Sequence, residues 1–72
     1  MTNQYEAKGY KWTVSVRVIA GQQVFLHHAR MGDTGFHKVS ANLRCGTELA
    51  ECIGETKRQA FDRALLTAGA AL

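Results

Sequence analysis

At 72 residues the chain is one small domain, and its 46% hydrophobic content is that of a globular protein rather than a disordered one. No apolar run approaches the roughly 20 residues a bilayer span needs, and the N-terminus carries no charged, apolar, small-residue leader, so a cytoplasmic protein is expected. Two cysteines and no proline exclude a disulfide scaffold, and a net charge of +3 with a pI near 9.2 permits an acidic partner without requiring one.

The charge is unevenly spread. Residues 1–44 hold Lys8, Lys11, Arg17, Arg30, Lys38 and Arg44 against Glu6 and Asp33, whereas residues 45–72 hold Lys57, Arg58 and Arg63 against Glu48, Glu51, Glu55 and Asp62. The basic excess belongs to the first half.

Residues 1–9 are polar and read as a flexible N-terminus ahead of a single domain over 10–72. From Tyr10 to Ile19, Trp12, Val14, Val16 and Val18 alternate with Lys11, Thr13, Ser15 and Arg17, the period of a strand. Ala20-Gly21 turns the chain, and Gln22 to Met31 returns. "GDTG" is a loop. "HKVSANLRC" alternates again, with Val39, Ala41, Leu43 and Cys45 against Lys38, Ser40, Asn42 and Arg44. "ELAECI", Glu48 to Ile53, reads as a short fourth strand in preference to a helical turn. Thr56 opens a helix through the capping box Thr-Lys-Arg-Gln. Ala60, Phe61, Ala64, Leu65 and Ala68 form its buried stripe, Leu66 falls outside it, and Gly69 frays or ends it. The expected fold is α+β: an antiparallel sheet of three or four strands with one C-terminal helix on a single face (β-β-β-(β)-α).

A two-residue turn at Ala20-Gly21 pairs Ile19 with Gln22, Val16 with Phe25 and Trp12 with Ala29. A loop from Gly32 to Phe36 would pair Ala29 with Val39 and Phe25 with Leu43. In that register Trp12, the valines, Phe25, Val39 and Leu43 form one core face, with His27 near Val14 and Ala41. Cys45 and Cys52 are then inert core thiols. The outer face carries Lys11, Arg17, Arg30, Lys38 and Arg44, with Val24 and Leu26 as an apolar strip among them. Such a face serves either as a charged guard against edge-to-edge aggregation or as a surface for phosphates.

The helix start adds Lys57 and Arg58 where the helix dipole disfavours cations, as a site for an external anion would require. No metal-ligand spacing, paired catalytic acids, activated nucleophile or phosphate-cradling loop accompanies them, so no catalytic residue, metal or cofactor is expected.

"CGTELAECIGETKRQAFDRALLTAGAAL" resembles the C-terminal part of double-stranded RNA-binding domains. There a strand and turn lead into Gly-x-(Ser/Thr)-Lys-(Lys/Arg)-x-Ala and an alanine-rich helix. Gly54, Thr56, Lys57, Arg58, Ala60, Ala64 and Leu65 fall on that pattern, and "GDTGFHKVSANLRCG" is similar to the family's loop and middle strand. The resemblance implies that Lys57 and Arg58 contact duplex-RNA phosphates, with Thr56 as cap, and that His37 and Lys38 take part of the loop's role. It spans Gly32 to Leu72. The family's first helix is replaced here by the strand Tyr10–Ile19, and only two of its usual basic positions are present.

The expected function is a non-enzymatic module binding nucleic acid, duplex RNA first, or a ribonucleoprotein. The alternative is an inhibitor encoded by a phage or mobile element that blocks a nucleic-acid-binding effector, since the small one-helix architecture is similar to that of some anti-CRISPR proteins. A homodimer associating through its sheet is the third possibility.

Overall fold

The computed structural model describes residues 3–72. Five strands, β1 (Asn3–Ala7), β2 (Tyr10–Ile19), β3 (Gln22–Met31), β4 (Phe36–Leu43) and β5 (Glu48–Gly54), precede one helix, α1 (Lys57–Ala71). The strands form an antiparallel meander in the order β1-β2-β3-β4-β5, with α1 on one face. The α+β class is as read from the sequence, with one strand more than expected. No helix among the described residues is long and apolar enough to cross a membrane.

The additional strand is β1, in the stretch read as flexible; residues 1 and 2 lie outside the described residues. Its residues alternate too weakly to announce a strand, but the Lys8-Gly9 turn folds it back onto β2. Both turn residues have positive φ, 54° and 81°, the conformation whose twist suits a two-residue hairpin. Tyr5 thereby lies opposite Trp12, their rings stacked with centroids 6.4 Å apart. Ala20 and Gly21 repeat the turn at φ 51° and 78°. The expected β2–β3 register follows, with Ile19 opposite Gln22 and Val16 opposite Phe25.

The β3–β4 register differs by one residue. Thr34 and Gly35 both donate their backbone N–H to the Met31 carbonyl, at 3.2 and 2.9 Å. Met31 then pairs with Phe36, so the loop is Gly32 to Gly35, one residue shorter than expected. Phe25 faces Asn42 and Ala29 faces Lys38, while Val24 meets Leu43 and Leu26 meets Ala41. A one-residue slip exchanges the faces of a strand. Val39 and Ala41 therefore share a face with Val24 and Leu26 rather than with Trp12 and Val16.

The helix covers that face. Val24, Leu26, Val39, Ala41 and Ala50 are buried against Ala60, Ala64 and Ala68, with Phe61, Leu65, Cys52 and Ile19 packed around them. The expected helical stripe is thus the buried one, although the helix continues past Gly69 to Ala71. Alanines let the helix approach the sheet closely. The core they make is small: Leu26, Val24 and Val39 are its largest fully buried side chains. The strip expected on the surface, Val24 and Leu26, is its centre.

Candidate nucleic-acid interface

The chain turns sharply from β5 into α1, and Gly54 makes the corner possible. A Cβ on Gly54 would lie 2.6 Å from the Ala60 backbone nitrogen and 2.9 Å from Gln59 Cβ. Thr56 follows in extended geometry as the N-cap, its Oγ1 accepting the Gln59 N–H at 3.1 Å. Gln59 reaches back, but its Oε1 accepts from Glu55 N at 3.0 Å, one residue before the cap. These two bonds fix where the helix begins and hence where Lys57 and Arg58 stand.

Both cations are exposed, and the first turn contains no acid. Arg58 Nε lies 3.9 Å from Asp62 Oδ2 one turn on, a wide and solvent-exposed pair of little energetic weight. Lys57 Nζ sits 5.9 Å from the centroid of the Phe61 ring. Phe61 in turn lies against His28, centroids 5.4 Å apart, and His28 stacks on His37 at 5.1 Å. One imidazole donates to the other, His28 Nε2 to His37 Nδ1 being 2.9 Å. Burial holds His28 below the ordinary histidine pKa, and the charges of Lys57 and His37 push the same way. The stacked rings of His28 and His37 form a flat aromatic step beside the helix start.

The register distributes the remaining cations. Lys11 and Arg17 on β2, and Arg30 and His37 on β3 and β4, belong to the helix-bearing side; Glu6 lies opposite Lys11. Lys38 does not share that side. It projects from the opposite face and pairs with Glu51 at 2.8 Å, which holds the Glu51 carboxyl below the usual range. His37 is a strand residue, so it and Lys38, being adjacent, point to opposite faces and cannot act on one surface. Arg44 stands in the β4–β5 turn. The five-cation face expected from the sequence thus resolves into three residues on the helix-bearing side, one ion pair behind the sheet and one turn residue. His28 and Phe61 are members of the candidate site that the sequence reading missed. His28 lies two residues from Arg30, and Phe61 follows Lys57 by one helical turn; those spacings are the available signal.

The face away from the helix differs in character. Tyr5, Trp12, His27, Lys38, Ser40 and Glu51 line a shallow groove of about 340 Å3. Lys8, from the β1–β2 turn, reaches the same groove and adds to the field on Glu51, so the sheet curls enough to bring its two edges toward one another. The Tyr5 hydroxyl bonds His27 Nδ1 at 2.9 Å, and burial lowers the pKa of His27. His27 was expected between Val14 and Ala41 in the core; it lies instead between Val14 and Ser40, under Tyr5.

The thiols are separated. Cys45 was expected in the core but is exposed in the β4–β5 turn, its Sγ 3.2 Å from Thr47 Oγ1, a contact that lowers its pKa. Cys52 is half-buried on the helix-bearing face opposite Val39. Among the described residues no group of three or more His, Cys, Asp or Glu is placed to hold a metal ion.

Comparison with protein-family models, with curated proteins and with solved structures gives no match.

Proposed function

We propose that this chain is a small non-enzymatic binding module for an acidic partner, with duplex RNA as the favoured one. The observation that carries the reading is the helix start. Lys57 and Arg58 project from a capped first turn free of acids, on the same side of the molecule as Lys11, Arg17 and Arg30. A helix terminus presents free N–H groups and a partial positive charge, and cations beside it favour a phosphate. Among the described residues the one cation with a close carboxylate partner, Lys38, is on the other face. The resemblance of Gly54 to Leu65 to the phosphate-binding helix start of double-stranded RNA-binding domains supports the same assignment.

The test is binding to duplex RNA, duplex DNA and single strands at about 50 and 200 mM salt. With two phosphates neutralised the affinity falls about 12-fold across that range, and with four about 150-fold. Lys57→Ala/Arg58→Ala is expected to weaken duplex-RNA binding and to flatten the salt dependence by close to two phosphates' worth. Equal binding by the double mutant rejects the helix start as the site. No binding to any nucleic acid moves the cations to a protein surface, and the inhibitor reading then takes first place.

A further inference from the structure

His28 and His37 meet across β3 and β4 on the helix-bearing side, and the bond between them limits how many protons the two rings can hold. His28 Nε2 and His37 Nδ1 are 2.9 Å apart, with the ring planes 13° from parallel. Such a contact needs one proton between the two nitrogens and one bare lone pair to receive it. In the uncharged pair, the ring that donates has no proton on its outer nitrogen, which is either His28 Nδ1 or His37 Nε2. That nitrogen accepts one further proton with the bond intact. A second would put hydrogens on both facing nitrogens and break the contact. The bonded pair therefore takes up a single proton and a single charge.

Among the described residues the charged groups that face the pair are cations: Lys57 from α1 and, opposite His37 in the row, Arg30 from β3. The other neighbours are uncharged: Phe61 against His28, Thr13 and Val39 beside His28 on β2 and β4, and Gly54 beside His37 on β5. Lys11 on β2, with Glu6 opposite it on β1, lies farther along the same side. The remaining acids of this region are placed elsewhere. Glu51 pairs with Lys38 behind the sheet, Asp62 lies beside Arg58, and Glu55 is exposed in the corner beyond Gly54. Burial, then the charges of Lys57 and His37, push the His28 pKa down. In the free protein a proton on the pair thus meets like charge, and a phosphate docked beside Lys57 reverses the sign of that field. We infer that the His28–His37 pair belongs to the phosphate-binding surface and takes up one proton from solvent when nucleic acid docks at the helix start. This rests on the nucleic-acid reading proposed above. Linkage makes the effect reciprocal, so binding tightens as pH falls by the same factor by which bound phosphate favours the protonated pair.

The probe is a duplex RNA of about 16 base pairs, bound at fixed salt from about pH 7.5 to about pH 5.5, the range that brackets an ordinary histidine. Phosphodiesters stay ionised throughout, so the pH dependence reports on the protein. An opposite charge within about 4–6 Å raises an imidazole pKa by about 1 or more, and the wild-type affinity should accordingly rise about 5- to 10-fold across the range. His28→Gln/His37→Gln is expected to bind with no such rise. His27→Gln, which removes an imidazole from the opposite face, should keep it. Should the double variant misfold, ring NMR titrations of the wild type replace it: RNA is expected to raise the pKa values of His28 and His37 and to leave His27 unmoved. A wild-type affinity that is flat with pH overturns the inference. So does a rise that survives in the folded double variant, one lost in His27→Gln, or imidazole titrations that RNA does not move. Any of these, with binding still weakened by Lys57→Ala/Arg58→Ala, removes the proton linkage and leaves the helix start as the site. No binding at either end of the pH range removes the nucleic-acid reading, and the linkage falls with it.

Discussion

Replacing Gly54 by alanine should destabilise the fold, and the structure gives the reason in distances. The new Cβ would stand 2.6 Å from the Ala60 nitrogen, 2.9 Å from Gln59 Cβ and 3.1 Å from the Gln59 carbonyl carbon. Non-bonded carbons prefer about 3.5–4.0 Å, and two of the three neighbours are backbone, so the first turn of α1 must retreat by close to an ångström. That turn is held by Ala60, which is fully buried, and by the bonds at Thr56 and Gln59. Overpacking of this kind costs about 1–3 kcal/mol. The opposing gain, from a less flexible unfolded chain, is about 0.4–1 kcal/mol. Gly54 is not among the positive-φ glycines, so backbone strain adds nothing. The net loss is about 1–2 kcal/mol, which lowers the melting temperature of a domain this small by about 4–15 °C. Gly69→Ala is the internal control: its Cβ meets only Ile19 Cγ2 at 4.0 Å, an ordinary contact. Alanine is the better helix former by about 0.8–1.0 kcal/mol in a helix interior, so near this terminus a gain of about 0.5 kcal/mol is expected. Urea and thermal unfolding of both variants read the two signs. A Gly54→Ala protein as stable as the wild type would refute the close approach of helix and strand.

Thr56→Ala removes the cap on Gln59 N and should cost about 1 kcal/mol, with weaker duplex-RNA binding because the first turn frays; calorimetry and the binding assay read each. Ala20→Asn should stabilise by about 1 kcal/mol or less in urea unfolding, since Ala20 has φ 51° and asparagine tolerates that region better. A pH dependence follows from the histidines. His28 and His27 both have folded pKa values below the ordinary 6.5, so the unfolded chain binds protons first as pH falls. Stability is therefore full above about 6.5, declines as pH drops below it, and levels off beneath the folded values. His28→Gln should reduce that slope and leave the His27 share, as urea midpoints measured from neutral to mildly acidic pH would show.

The legible parts of this fold are those where one pattern excluded its alternatives. In β2, Trp12, Val14, Val16 and Val18 alternate without exception, and Ala20-Gly21 leaves one sensible turn, so the β2–β3 register could be read. In α1, only the stripe from Ala60 to Ala68 is apolar enough to bury, and Thr56 and Gln59 mark its start. In β3, by contrast, Val24 and Leu26 on one face compete with Phe25 and Ala29 on the other. Either face accepts the alternation of β4, and the loop alone decides. Both loop N–H groups converging on the Met31 carbonyl is a backbone feature with no side-chain signature. β1 was hidden for another reason: "NQYEA" carries a single large apolar residue, and it is pairing with Trp12 that holds it. The candidate site inherited these limits. Lys57, Arg58 and Thr56 were found because they follow from the cap. His28 was missed, because the expected register left no helix above it to bring Phe61 and Lys57 near.

The side on which the helix lies follows from β4 and β5, not from β2. The helix leaves β5 through a corner of two residues, Glu55 and Thr56, so it can dock only over the strands nearest that corner. Next to that corner the two sides of those strands differ: Val39, Ala41, Ala50 and Cys52 face the helix, whereas Lys38, Ser40, Asn42 and Glu51 face away, with Phe36 and Ile53 exposed beside them. Docking on the other side would bury the Lys38–Glu51 pair at a cost of several kcal/mol per ion, which no gain from valines two strands distant offsets. The valines of β2 are consequently left on the side the helix cannot reach. Full burial of a valine is worth roughly 1.5 kcal/mol or more, and Val16 and Val18 together forgo a large part of that within one chain. The same short corner that commits the helix to β4 and β5 sets Lys57 and Arg58 at the rim of the basic side and leaves the neutral apolar side open. One connection thus separates the two surfaces: the helix start with Lys57 and Arg58 on the basic side, and behind it the neutral face that the single helix does not cover.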